Sequence, residues 1–290
     1  MDLSRPGRHR RLPVLRIRTH LALLVLVTAW PLAALLAYTA QRQAKVEEKQ
    51  AGAQALRAAQ AIAAEAERTL QRAQVLLTQV ARRPQVRRLD AADCDPLFGA
   101  FGSLFPDYTN LVTVRLDGER VCSALPARPD MPAKVDPRLF LAQTLSSQGF
   151  TVGPLTRGIF TGRWILLVAY PLRAEAGELV GAVALSIDLG RLPLAPGLGE
   201  LPRSARARLY DAAGTVLASN PAAPEAVGQP LGGASGAALS GQAPASPPEG
   251  RWRDADGVPC IVGTAPVPGT GWRATVGVPV EAVLGPVRRR

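Results

Sequence analysis

Two copies of one strand-and-turn pattern, about 95 residues apart, lie downstream of a single long apolar run. A repeat of that length confines the chain to tandem modules of one architecture. In the first copy Val112, Thr113 and Val114 lead into Asp117 and Gly118, and Ser123 follows five residues after that glycine. In the second, Ala207 to Tyr210 lead to Asp211 and Gly214, with Ser219 again five later. The downstream halves run from Gly162, Arg163, Trp164 and Ile165 to Pro171, and from Gly257, Val258, Pro259 and Cys260 to Pro266, each stepping nine residues from glycine to proline. One more apolar stretch closes each copy, at 181–189 and 272–278. Short apolar runs broken by Asp-Gly or Gly signals are read as antiparallel strands in hairpins, so two small sheets in tandem are expected.

The run from Leu21 to Tyr38 is almost wholly apolar and, at 1.5 Å per residue, spans about 27 Å, close to the hydrocarbon thickness of a bilayer. It is read as a transmembrane helix, in which Pro31 is tolerable because neighbouring groups compensate the lost hydrogen bond. Residues 1–20 carry six arginines against Asp2 alone, which places the N-terminus of a single-pass protein in the cytoplasm and everything after about Gln41 outside. A cleaved signal peptide is the rival reading, with small residues at Ala37, Thr39 and Ala40. The formal charge of +11 resides mainly in that N-terminal tail and in Arg288 to Arg290. No basic face interleaved with aromatics remains between them, so nucleic acid is not an expected partner.

Cys94 and Cys122 fall in the first module and Cys260 stands alone in the second. Two readings stand for the pair: a disulfide, which an oxidising compartment permits, or two buried thiols. Cys260 occupies the repeat position of Ile165 and is expected to be a small core residue. There is no Cys-x-x-Cys pair, and neither histidine (His9, His20) lies beyond the apolar run, so no metal, cofactor or Ser-His or Cys-His dyad is expected there. The chain also lacks a nucleophile elbow and a phosphate loop. Carboxylate pairs such as Glu47 and Glu48 or Glu65 and Glu67 sit where a solvated helix face is expected, and the chain is read as a non-enzyme.

Residues 41–83 contain no proline and one glycine and are rich in Ala, Gln, Glu, Arg and Leu, which predicts a helix of about 40 residues ending at Arg82-Arg83-Pro84. Leu56, Ala59, Ala63, Ala66, Leu70, Ala73, Leu77 and Val80 follow steps of three and four. That stripe packs along the protein's own sheets or forms the seam of a homodimer, and both can hold at different heights of one helix. Gly190 to Pro202 reads as a linker, and Gly228 to Gly250 as a weakly ordered loop.

An apolar helix, a long extracytoplasmic helix and two PAS-like modules of the form strand-Asp-x-x-Gly-strand, then Gly-x-x-strand-Pro-hairpin-Gly-strand, resemble the double Cache sensor domains of bacterial transmembrane receptors. The residues that carry the resemblance lie in 110–123, 161–188, 208–219 and 256–279, together with Cys94-Asp95 and Val121-Cys122-Ser123. The resemblance implies an α+β fold, a small-molecule pocket in the membrane-distal first module, and a second module that relays displacement to the membrane. Arg157 and Arg163 can pair with a carboxylate, Trp164 and Tyr170 can form a wall, and Asp188 can receive an amine; the plainer readings are loop charges, core residues and a cap. Arg163-Trp164 is similar to part of the Arg-x-Trp-Tyr stretch of amino-acid-binding members, but the spacing and tyrosine differ.

The expected organisation is a basic tail (1–20), a transmembrane helix (21–40), a stalk helix (41–84), a distal module (85–190), a linker (191–202), a proximal module (203–285) and a basic end (286–290). The function expected is a small-molecule-sensing domain of a signalling receptor, with no output module in this chain, which reads as either a fragment of a larger receptor or a complete one-pass protein. The alternative is an envelope interaction protein without a small ligand.

Overall fold

The computed structural model describes residues 17–126, 134–136, 140–192, 194, 198–221, 223, 225–230, 249–253 and 257–288. The basic tail up to residue 16, most of the Gly-rich loop (231–248), part of the linker and the final two arginines lie outside the described residues.

One helix, α1 (Ile17–Ala81), is 65 residues long and contains both the apolar run and the stalk without a break. At 1.5 Å per residue it extends about 98 Å. Residues 24–43 of it are all exposed: Leu24 is 67% exposed and Trp30 73%. By length and composition that part can cross a membrane. Thr28 folds its hydroxyl back onto the carbonyls of Leu24 and Val25, so its polar group is satisfied within the helix.

The second part of α1 is the spine on which both sheets are mounted. The first sheet has the order β2-β1-β5-β4-β3, with β1 (Tyr108–Arg115), β2 (Arg120–Ser123), β3 (Thr151–Arg157), β4 (Trp164–Arg173) and β5 (Leu179–Asp188). The second repeats it as β7-β6-β10-β9-β8, with β6 (Arg206–Tyr210), β7 (Val216–Asn220), β8 (Glu249–Arg253), β9 (Pro259–Pro266) and β10 (Arg273–Pro279). All pairings are antiparallel. The copies agree in register: Ile165 lies opposite Asp188 as Cys260 lies opposite Pro279. Their first hairpins turn identically, the Gly118 and Gly214 amides donating to the Arg115 and Asp211 carbonyls. Both glycines have φ above +80°, a conformation side chains disfavour.

The stripe on α1 packs against the protein's own sheets. Ala59, Ala63, Ala66, Leu70, Ala73, Leu77 and Val80 are buried, Leu56 is half-buried, and Ile62 joins them. All of these except Leu56 share one core with Leu166, Val168, Leu185 and Ile187 of the first sheet and Ala265, Ala274 and Val276 of the second. Along its buried length the stripe therefore faces the protein's own sheets. The linker is anchored as well, since Leu194 and Leu201 belong to the same core. The segment read as a loop up to Gly250 already enters β8 at Glu249.

Beyond α1 the chain turns through α2 (Pro84–Arg88) and α3 (Leu97–Leu104). Cys94 and Cys122 are disulfide-bonded with Cα atoms 5.8 Å apart, joining this segment to β2. Beside them Arg83 grips the buried Asp95 through Nε–Oδ2 (2.6 Å) and Nη2–Oδ1 (3.0 Å). On the face of the first sheet away from α1, Phe140 and Leu141, at the start of α4 (Leu141–Ser147), bury themselves against Val112, Ile165, Leu167 and Ala184. Cys260 is a buried free thiol. The last helix, α5 (Val280–Arg288), follows β10 directly and packs back beside α1.

Candidate functional site

The β3–β4 hairpin points its closed end at the second module. Arg157 ends β3 and Trp164 begins β4, directly opposite one another. The loop between them is held by the Gly158 amide on the Arg163 carbonyl (2.8 Å) and by Arg157 Nη1 on the Gly162 carbonyl (3.0 Å). The Arg157 guanidinium also lies 4.5 Å from the centre of the Trp164 ring, within cation–π range. Arg253 of β8 makes the matching bond to the Gly257 carbonyl (2.8 Å) in the second sheet. The Arg157 clasp thus belongs to the frame common to both copies.

Arg163 and Asp188 have no such counterpart. Arg163 Nη1 lies 3.0 Å from Asp188 Oδ2, pairing a side chain 60% exposed with one only 4% exposed. Asp188 Oδ1 accepts the Gly190 amide at 2.9 Å, capping the short 3-10 turn at Leu189–Arg191. The equivalents in the second copy are Val258 for Arg163, Pro259 for Trp164 and Pro279 for Asp188.

Four of the five expected site residues, Arg157, Arg163, Trp164 and Asp188, meet at the mouth of a cleft of about 420 Å³ between the modules. Its opposite wall is Ala218, Ser219, Ala223 and Val227 of the second module, and its floor includes Leu192 and Leu194 of the linker. Trp164 meets the second module at Gly228, where a Cβ would overlap the indole ring. Tyr170 lies elsewhere. It is six residues along β4, about 20 Å away at strand rise, and packs into the core on the α1 side.

The wall residues from the second module carried no chemical signal in the sequence. Ser219 was visible only as the repeat partner of Ser123, and its hydroxyl is used locally, donating to the Pro221 carbonyl and accepting the Ala223 amide. A larger hollow, about 1060 Å³, opens at the far tip beside Arg87, Arg88 and Arg115. Those arginines hold the tip together: Arg87 donates to the Ala81 carbonyl, Arg88 pairs with Asp93, and Arg115 bridges Glu119 and the Leu89 carbonyl. The shifted titrations also lie away from the cleft. Arg83 holds the Asp95 carboxyl below its usual range against the opposing effect of burial, and Arg251 does the same for Glu48. Among the described residues no group of His, Cys, Asp or Glu is placed to hold a metal ion.

The family model described as a Cache domain matches residues 42–287. Solved structures of the same fold include the extracellular domain of rpHK1S-Z16, described as a histidine kinase, at 17% identity and TM-score 0.66, covering 81% of this chain and 97% of that one. The sensor domain of the V. cholerae histidine kinase DctB is likewise 17% identical, with TM-score 0.60 and coverage of 82% and 98%. The ligand-binding domain of the Pseudomonas aeruginosa amino-acid chemoreceptor PctC, in complex with GABA, is 22% identical, with TM-score 0.53 and coverage of 80% and 99%. No curated protein matches the chain in sequence.

Proposed function

The chain belongs to the Cache domain family, and from that membership we propose that it is the small-molecule-sensing part of a membrane-anchored signalling receptor, with no catalytic activity of its own. Its N-terminal arginines lie in the cytoplasm, the apolar part of α1 crosses the inner membrane once, and both sheets stand in the periplasm. The observation that carries this reading is the continuity of α1. One helix presents an uncovered apolar surface from Leu24 to Tyr38 and then supplies the buried spine of both sheets. A displacement of either sheet is thereby applied to the membrane segment without an intervening joint.

The ligand is a small carboxylate or amine, a class that includes the GABA bound by PctC. Two copies pair along the face of α1 that the sheets leave open, where Val46 is 53% and Val75 57% exposed. These two valines are 29 residues apart, about eight helical turns, and so point the same way. The test is a melting screen of the full chain in detergent against amino acids, organic acids and amines. A ligand at a hundred times its Kd adds about 2.7 kcal/mol of stability, so a sensed class raises Tm by degrees, and a flat response across all three classes argues against sensing.

A second reading, an envelope protein that binds another protein, is favoured by one observation. Phe140 and Leu141 occupy the outer face of the first sheet with the module's own side chains. Crosslinking in cells that recovers one stable hetero-partner, alongside a flat melting screen, would select it.

A further inference from the structure

We propose that the cleft between the two modules is itself a binding site, for a small monocarboxylate with a compact apolar body. This rests on the sensing reading and locates it.

The recognition chemistry is asymmetric between the copies. The frame needs the arginine clasp in both sheets, since Arg157 and Arg253 make the same bond. It does not need Arg163, Trp164 or Asp188, because Val258, Pro259 and Pro279 fill those positions in the second sheet without altering its strand order. The three residues peculiar to the first copy converge on the cleft.

Among the described residues that line the cleft, two guanidinium groups, Arg157 and Arg163, stand against the one carboxylate of Asp188. Arg163 offers a planar fork of donors of which one nitrogen is taken by Asp188 at 3.0 Å. A fork so held on one edge is pre-oriented to receive a second carboxylate on the other. Leu192, Leu194, Ala223 and Val227 supply apolar walls for the rest of the molecule, and the volume of about 420 Å³ falls within the usual range for small ligands. Asp188 is oriented toward Gly190 and Arg163 by its two oxygens and is only 4% exposed, so its part in the cleft is to position the arginine. Because the walls belong to different modules, an occupant favours the arrangement that closes them together, which is the differential affinity a sensor requires.

The test is a fluorine NMR titration of full-length protein in detergent with 4-fluorobenzoate, using 4-fluorobenzylamine as the cationic control. Saturable benzoate binding that weakens at least tenfold in Arg163→Gln, and is lost in Ala223→Phe, supports the site. Arg163→Gln leaves the buried Asp188 carboxylate without its arginine, so the double variant Arg163→Gln/Asp188→Asn, which keeps an acceptor for Gly190, must show the same weakening. Equal affinity in wild type and all three variants overturns the cleft as the site and leaves sensing elsewhere intact. Absence of benzoate binding, or preference for the amine, also overturns it. A positive melting screen in that case shows that the sensing reading survives.

Discussion

Gly263 of β9 is pressed against the backbone of α1 at Leu56: a Cβ on that glycine would overlap the Leu56 nitrogen and the Ala55 carbonyl carbon. The atoms it would meet are backbone on a helix that also carries Ala51, Ala58 and Ala59 at the same interface, so nothing there can rotate aside. Gly263→Ala is expected to destabilise the protein by about 1–3 kcal/mol, the usual cost of overpacking. Gly102, in α3, has nothing within 4 Å of its own Cβ position; Gly102→Ala is expected to stabilise by up to about 1 kcal/mol. Urea unfolding of the two variants should move the midpoint in opposite directions.

The Arg83–Asp95 pair gives the fold an acid-sensitive joint where α1 hands over to the first module. Asp95 is held below its unfolded value by Arg83 and by the Leu97 amide, with burial acting in the other direction. Its contribution is therefore complete above the unfolded carboxyl range, about pH 4, and is lost as pH falls through the lower folded value. Asp95→Asn should cost about 1.5–3 kcal/mol at pH 7, the range for hydrogen bonds to a charged group. The gap between wild type and variant should narrow as unfolding is measured at successively lower pH below 4.

Trp164 and Gly228 form the contact through which the first module touches the second beside the cleft. Gly228→Ala carries two penalties, a φ of +83° and the overlap with the indole. A double-mutant cycle with Trp164→Leu separates them: the strain of positive φ persists, whereas the overlap is relieved. The cycle should show a coupling of about 1 kcal/mol or more, as for residues in direct contact, and additive losses would mean that the modules do not meet here.

Much of this was legible before the structure. The repeat was readable because strands alternate with period two and glycines mark their turns, and even the match of Cys260 to Ile165 held in the register of the sheets. The stripe on α1 was not resolvable from sequence, since alanine serves a sheet interface and a helix seam equally well, and Ile62 breaks the heptad in favour of a straight packing face. The equivalence of Arg157 and Arg253 was hidden because β8 follows a Gly- and Pro-rich stretch that reads as loop. The cleft was half legible. Arg157, Arg163 and Trp164 of its lip lie in one continuous hairpin, but its far wall, Ala218, Ser219, Ala223 and Val227, comes from a segment about 60 residues later, identifiable only once the modules are placed side by side.

The open face of α1 offers a direct check on self-association. Val75→Cys, exposed on that face, should give an oxidised dimer between copies, while Ala59→Cys, buried against the sheets, should remain monomeric under the same oxidant. The native disulfide between Cys94 and Cys122 leaves only the buried Cys260 as background.

Titration calorimetry of the full-length protein in lipid nanodiscs, against amino acids, organic acids and amines in turn, bears most directly on the sensing function. Saturable binding from at least one carboxylate-bearing class, at fixed stoichiometry per chain, is expected. No saturable heat from any of the three classes would contradict it.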